Sequence, residues 1–486
     1  MMLPFLVVLG LSVVACGLPL GETAPEVSHG LWIVGDVEVA TQIDSLDPRD
    51  WSVERLERGD RTITVIPLAE LLEMSAPLAT EYRVAFAGRD GRLAVVGGGH
   101  LADSRLGWSE EYGWEVVNPN HPVSGNIKDL EEIVVLAEDP GPRHSLNVIR
   151  LGENIDRYTV GELAVGEYTV GAEPIGSASR EVDGVNLEAK IYQRERWIDL
   201  DRFVRNRDYE ELVVVGEAGE VAVHAPGGKM MLERTSLAYR AADGVEISRV
   251  KGIVLDPPKR MNTAIFGDAK ESLERGIPTM VVLVDGLGWD QYLHMIENGR
   301  MPFLGAAGEP DPALAIYPSI TPVNVAASIT GALPHESGVV ARNTRIPEVP
   351  TLFQWARERG MEESAVIGPI APIDLGTDPH FRTDENGDGS EDDEIFDTTL
   401  KLAGEGYDFL YVHFKGVDVA GHAHGAFAEE TLSAIDRIDG YVRGLAHVWE
   451  GNMIVYSDHG MKTTPDGGEH GLFVHEDMFV PHWYLR

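Results

Sequence analysis

Three unbroken apolar runs, each leading into a polar turn with aspartate, constrain this chain more than any other feature. They are PTMVVLVDG (278–286), YDFLYVHF (407–414) with Asp418 just beyond, and NMIVYSDHG (452–460). A strand with one wet face alternates apolar and polar residues; a continuous run means that both faces are covered, as in parallel strands flanked by helices. Stretches with helical spacing lie between and around the runs: VNVAASITGAL, TLFQWARERG and TLSAIDRIDGYVRGLAHVW. The pattern predicts a doubly wound α/β/α sandwich over 276–486, where ligands collect at the carboxyl ends of the strands.

Upstream the texture is different and reads as duplicated. IPLAELLEM, EYRVAFAGRDGRLAVV and DLEEIVVLAEDP follow one another in the first stretch, and WIDLDRFV, EELVVVGEAGEVAV and ISRVKGIVLDPP follow in the second. Matching order and turn chemistry (Arg89-Asp90-Gly91, Glu217-Ala218-Gly219) predict tandem small mixed α/β or β-rich modules at 27–142 and 143–262. Each faintly resembles the molybdopterin-binding domain of sulfite-oxidase-like proteins. That family ligates molybdenum through a cysteine and this region has none, so structural or binding modules with an unknown ligand are expected instead.

The chain opens with MMLPFLVVLGLSVVAC, an apolar segment of signal-peptide length and too short to span a bilayer. Residues 1–16 are read as an export signal, with Val13-Val14-Ala15-Cys16 resembling a bacterial lipobox that lipidates Cys16, and 17–26 as a tether. The expected location is extracytoplasmic, with a lipid anchor to the cell envelope if Cys16 is modified. Cys16 is the one cysteine of the chain, so no intramolecular disulfide can form and any metal site must use Asp, Glu, His or hydroxyl ligands. A formal charge of −39 argues against binding a nucleic-acid backbone or an anionic membrane surface. An anionic substrate would need local cations to draw it in.

The strand ends carry such a set: Asp285 after the first run, Asp418 and His422 after the second, Asp458 and His459 after the third, and His470 shortly beyond. Carboxylates and imidazoles converging at one sheet edge suit two zinc-like ions. Thr321, followed by Pro322, reads as a helix N-cap whose hydroxyl faces free amides and the positive helix end, a place where phosphate is welcome. It is the candidate nucleophile; taken alone, Thr-Pro would be a plain cap. In DENGDGSED, residues Asp384, Asn386, Asp388 and Asp392 have the 1, 3, 5, 9 spacing of a calcium loop, but position 12 is Ile395. A calcium site and a solvated acidic loop both fit.

VDGLGWDQY, TPVNVAASITGALPHESGV, DVAGH, SDHGM and GEHG together resemble, in order, the type I phosphodiesterase/nucleotide pyrophosphatase branch of the alkaline phosphatase superfamily. The resemblance covers 276–486. It implies that Asp285, Thr321, Asp458 and His459 surround one zinc and that Asp418, His422 and His470 hold another. It further implies a phosphothreonine intermediate at Thr321, and an asparagine contact to phosphate near Asn343, for which Arg342 is a rival. The implied substrate is a small phosphoester, a nucleotide among the candidates. Around the nucleophile the family reads T-F-P-N where this chain has Thr321-Pro322-Val323-Asn324. HFKGVDVAGH is also similar to the cofactor-independent phosphoglycerate mutases, which makes Lys415 a candidate phosphate contact. Phosphomonoesterase, phosphonate hydrolase and mutase-like activities are therefore the near alternatives. An envelope binding protein with a degenerate hydrolase domain is the alternative of another class. The Cys/Ser setting that sulfatases need is missing.

Overall fold

The computed structural model describes residues 29–486 apart from 59, 183, 184, 205, 206 and 225. The export signal, the tether and Cys16 fall outside the described residues. Two compact units are present. Among the described residues, one comprises 29–144 with 159–171 and 232–236; the other comprises 145–158, 172–231 and 237–486.

The first unit holds a five-stranded sheet in the order Thr41–Ile43, Leu31–Gly35, Leu130–Ala137, Tyr82–Gly88, Leu93–Gly97, and an antiparallel four-stranded sheet from Glu54 to Val117. One apolar core, including Ile33, Phe86, Trp114 and Ile133, fills it. In the second unit a five-stranded sheet runs Glu153–Tyr158, Leu146–Arg150, Val250–Leu255, Leu212–Gly216, Val221–Val223. Its pairings have the same senses as those of the first unit's five-stranded sheet: antiparallel at the outer strands, parallel at the second pair, antiparallel at the third. The expected boundary between 262 and 276 is not a break between compact units. Ile149, Val213, Val215 and Val254 of this sheet share a core with Met280 and Val282 of the first apolar run, so this sheet and the stretch from 276 onward belong to one compact unit.

The central sheet of the second unit has strands β1 (Arg260–Met261), β2 (Thr279–Val284), β3 (Asp311–Leu314), β4 (Glu363–Ile367), β5 (His380–Phe381), β6 (Phe409–Phe414), β7 (Asn452–Tyr456) and β8 (Phe479–Leu485). Their spatial order is β1-β3-β8-β7-β2-β6-β4-β5. β8 runs antiparallel to both neighbours, and every other pairing is parallel. The helices around it include α1 (Ala264–Glu274), α2 (Trp289–Glu297), α3 (Thr321–Thr330), α4 (Leu352–Arg357), α5 (Asp392–Leu402), α6 (Gly416–His424) and α7 (Glu429–Val448).

The three apolar runs are β2, β6 and β7, side by side, and the period of two along each strand divides their side chains between two cores. Met280, Val282, Val284, Leu410, Val412, Phe414, Met453 and Val455 pack on the α7 side with Leu432, Ile435, Ile438 and Val442. Val281, Leu283, Phe409, Tyr411, Ile454 and Tyr456 pack on the opposite face with Ile265 and Leu273 of α1 and Val325 and Ile329 of α3. Both faces are dry, as continuous runs require. Each fully buried aliphatic side chain contributes about 1.5–3 kcal/mol by leaving water, which pins the strand ends where the chemistry sits.

Behind that edge a buried polar chain ties β8 to the sheet. His482 Nε2 donates to Asn262 Oδ1 at 2.9 Å, and Asn262 Nδ2 reaches Asn324 Oδ1 at 2.8 Å and the Asp458 carbonyl at 2.9 Å. Burial, with Arg260 nearby, pushes the His482 imidazole down to about 3 from its ordinary 6.5. Because the folded value lies below the unfolded one, this group's contribution is fully present above pH 6.5 and is lost as pH falls toward 3. The loss over that window is expected to be about 4 kcal/mol from this group. Urea unfolding at stepped pH on the wild type and on His482→Gln measures it: the variant should show a flatter acid limb, and an identical limb would refute the assignment.

Candidate metal centre

At the carboxyl ends of β2, β6 and β7 the structure gathers the charged residues that the strand ends predicted. Asp285 follows β2, Asp418 and His422 lie on α6 directly after β6, and Asp458 and His459 follow β7; His470 comes in on the next loop. Two sets of ligand atoms each fall within 4.8 Å of one another: Asp285, Asp458 and His459, and Asp418, His459 and His470. His459 belongs to both. His422 joins the second set through Asp418, its Nε2 lying 3.4 Å from Oδ1.

The three imidazoles are oriented alike. Nδ1 of His422 donates to the Gly468 carbonyl at 2.9 Å, Nδ1 of His459 to the Gly460 carbonyl at 3.0 Å, and Nδ1 of His470 to the Ser319 carbonyl at 2.9 Å. A carbonyl can only accept, so each ring carries its proton on Nδ1 and turns the Nε2 lone pair inward. Nε2 of His459 lies 3.2 Å from Asp458 Oδ2 and 3.5 Å from Asp285 Oδ1, and Nε2 of His470 lies 3.5 Å from Asp418 Oδ1. These carboxylate oxygens, Asp285 Oδ1, Asp418 Oδ1 and Asp458 Oδ2, are buried and accept from no N–H or O–H group. Lone pairs facing lone pairs with no proton between them repel unless a cation is held there, so the donor set fits divalent metal ions.

The electrostatics agree. Burial first, then Asp458 and Asp418, raise the Asp285 carboxyl well above its ordinary range; burial also raises Asp458, against the pull of His459. Burial and the adjacent His459 push the His470 imidazole down to about 2. Packed without cations, Asp285 and Asp458 resist ionising and His470 resists protonation, the response expected of groups whose charge a nearby metal ion would balance.

Thr321 stands beside this cluster, its Oγ1 3.3 Å from His459 Nε2. Its place on the helix differs by one step from the expectation. Ile320, extended at φ −130° and ψ 149°, is the N-cap, and Thr321 is the first helical residue with no capping bond from a side chain. The hydroxyl is turned to the imidazole instead of the helix amides. Asn324, buried in the same first turn, accepts from the Ile316 amide at 2.7 Å and donates to the Ile316 and Ile320 carbonyls, which fixes where α3 begins.

Of the two rivals on the next loop, Arg342 reaches in, with Nη2 3.4 Å from His470 Nε2, while Asn343 is exposed on the loop. Lys415, which precedes α6, approaches the Ile370 carbonyl through Nζ at 3.4 Å. The acidic loop closes on itself: both oxygens of Asp384 accept from the amides of Gly387, Asp388 and Gly389, and Asn386 Oδ1 accepts from the Asp388 amide. Asp392, the ninth position of the predicted calcium spacing, is withdrawn from it. Its carboxylate takes the Lys415 and Gly416 amides at 2.9 Å each, and Ile395 is buried in the core. The physical reason is that Asp392 opens α5 and anchors the start of α6.

The fold and this cluster define an α/β protein with carboxylates and imidazoles that could hold metal ions gathered at the carboxyl edge of a largely parallel sheet. Residues 371–485 match the family of type I phosphodiesterases and nucleotide pyrophosphatases, a stretch that contains Asp418, His422, Asp458, His459 and His470 and excludes Asp285 and Thr321. Over 77 residues the chain is 36% identical to the catalytic subunit of human GPI ethanolamine phosphate transferase 3, and over 82 residues 35% identical to the mouse protein. These matches cover 15–16% of this chain and span only 7–8% of the length of those relatives. Among solved structures, murine ectonucleotide pyrophosphatase/phosphodiesterase 5, an inactive form in complex with AMP, overlays with a TM-score of 0.32 at 18% identity. Phosphonoacetate hydrolase from Sinorhizobium meliloti, in complex with phosphonoformate, overlays with a TM-score of 0.32 at 20% identity. Each overlay covers 38% of this chain and 57% of the other.

Proposed function

We propose that the chain is a metal-dependent phosphoesterase of phosphodiesterase/nucleotide pyrophosphatase type, with Thr321 as nucleophile. The observation that carries this reading is the inward set of three Nε2 lone pairs and three bare carboxylate oxygens beside one hydroxyl. Asp285, Asp458 and His459 would hold one divalent ion next to Thr321, and Asp418, His422 and His470 the other. Bound there, two cations would neutralise the carboxylates and stabilise the entering and leaving oxygens of an in-line displacement.

Thr321 Oγ1 gives up its proton and forms a bond to phosphorus while the bond to the leaving alkoxy oxygen breaks and that oxygen takes a proton. Water then attacks the phosphothreonine, releasing the phosphate product and restoring the hydroxyl. Arg342 supplies a guanidinium to a phosphate oxygen, a local attraction in a chain whose overall charge repels anions. The tandem-copy reading of the upstream modules is supported by their shared strand order, and the export reading by the apolar residues 1–16.

Steady-state rates on bis-p-nitrophenyl phosphate, p-nitrophenyl phosphate and a nucleotide test the proposal. The diester is expected to turn over fastest, with activity abolished by dialysis against a chelator and restored by zinc. Metal-loaded protein inert on all three would remove the enzyme reading and favour a binding protein.

A further inference from the structure

His413 lies one residue from the carboxyl end of β6, opposite Leu283 of β2, and is fully buried. In a strand reading FLYVHF it is a polar residue where the core would take another apolar one. Its Nε2 is 2.7 Å from Asp285 Oδ2, and its Nδ1 has no hydrogen-bond partner. An imidazole enclosed with one nitrogen unpaired destabilises the fold relative to a paired or apolar group. Packing alone does not account for it. A ligand carboxylate oxygen can only accept, so the ring's proton sits on Nε2 and is donated to Oδ2, which leaves Nδ1 as the bare nitrogen.

The consequence falls on Asp285. With Oδ2 held by His413, only Oδ1 is left to face His459 and Asp458. Asp458 is treated in the same way by a different donor: the Gly286 amide takes its Oδ1 at 3.1 Å and leaves Oδ2 bare. Each carboxylate is thereby turned into a one-oxygen ligand with fixed rotation.

We propose that His413 is a positioning residue for the cation beside Thr321, acting by a hydrogen bond that fixes the rotation of Asp285 and presents Oδ1 alone. The inference rests on the metal-centre reading, and the test separates the two. Zinc affinity and stoichiometry are measured on the full chain by competition with a chromophoric chelator and by elemental analysis, alongside the melting temperature of the metal-free protein. His413→Leu fills the space without a donor; His413→Gln can return an N–H close to the place of Nε2; His413→Asn carries its N–H at the wrong depth. The expected result is 10–100-fold weaker binding of one zinc in the leucine and asparagine variants, recovery to within about threefold in the glutamine variant, and a metal-free leucine variant at least as heat-stable as the wild type. If the leucine variant does not fold, the glutamine-against-asparagine comparison decides alone. Equal zinc affinity across the wild type and the variants overturns the role of His413 while leaving the metal centre standing. A wild type that binds no zinc overturns the centre itself.

Discussion

Thr321→Ala is expected to lower turnover of the best phosphoester by about 10³–10⁵-fold while zinc content and melting temperature stay close to wild type. The size follows from the chemistry: without Oγ1 no covalent phosphoenzyme can form, and direct attack by water on a bound ester would be the route left. The fold should tolerate the change because the hydroxyl's hydrogen bond runs to His459 Nε2, a nitrogen that a bound ion would take instead. Metal content should hold because Asp285, Asp458 and His459 remain as ligand-bearing side chains. Thr321→Ser separates nucleophile from bystander, since it keeps the oxygen and drops the methyl; it should retain measurable turnover and trap phosphate on the serine in a rapid quench. Wild-type rates in the alanine variant would strike Thr321 from the mechanism.

How much of this was legible in the residues depends on whether a feature leaves a local trace. β2, β6 and β7 did, because burial on both faces forces an unbroken apolar run, and the polar residues after such runs have little else to do than cap, turn or bind. The start of α3 was read one residue late. Thr-Pro is the usual sign of a cap followed by the first helical residue, but Asn324 secures the turn from inside and moves the cap to Ile320. Asp392 kept the spacing of a calcium loop while its carboxylate went to the amides of Lys415 and Gly416, 23 and 24 residues away in sequence. A spacing rule cannot see a partner at that distance. The carbonyls of Ser319 and Gly468, which set the tautomers of His470 and His422, have no side-chain signature at all. His413 did leave one, a polar residue inside an otherwise apolar strand run; its meaning needed the position of Asp285.

Asp418→Asn carries the second large effect, on metal content and not primarily on chemistry. Asp418 Oδ1 is the carboxylate oxygen between Nε2 of His422, at 3.4 Å, and Nε2 of His470, at 3.5 Å. It is the one anionic side chain of the second ligand group, the other two being imidazoles. An asparagine keeps the shape and removes the charge. Attraction between unit charges at about 4 Å is worth about 4 kcal/mol at the effective dielectric of a protein edge, or roughly a 10³-fold change in affinity. Elemental analysis after gel filtration is therefore expected to fall from two zinc ions per chain to one, with the Asp285, Asp458 and His459 group still loaded. The metal-free variant should be no less stable than the metal-free wild type, because Asp418 is one of the charges that raise the Asp285 and Asp458 carboxyls, and its removal relieves them. That opposition is the physical signature of a metal ligand: a side chain that strains the empty fold and holds the filled one together. An Asp418→Asn protein that kept both ions would mean that the imidazoles alone suffice and that the grouping of Asp418, His422 and His470 is wrong.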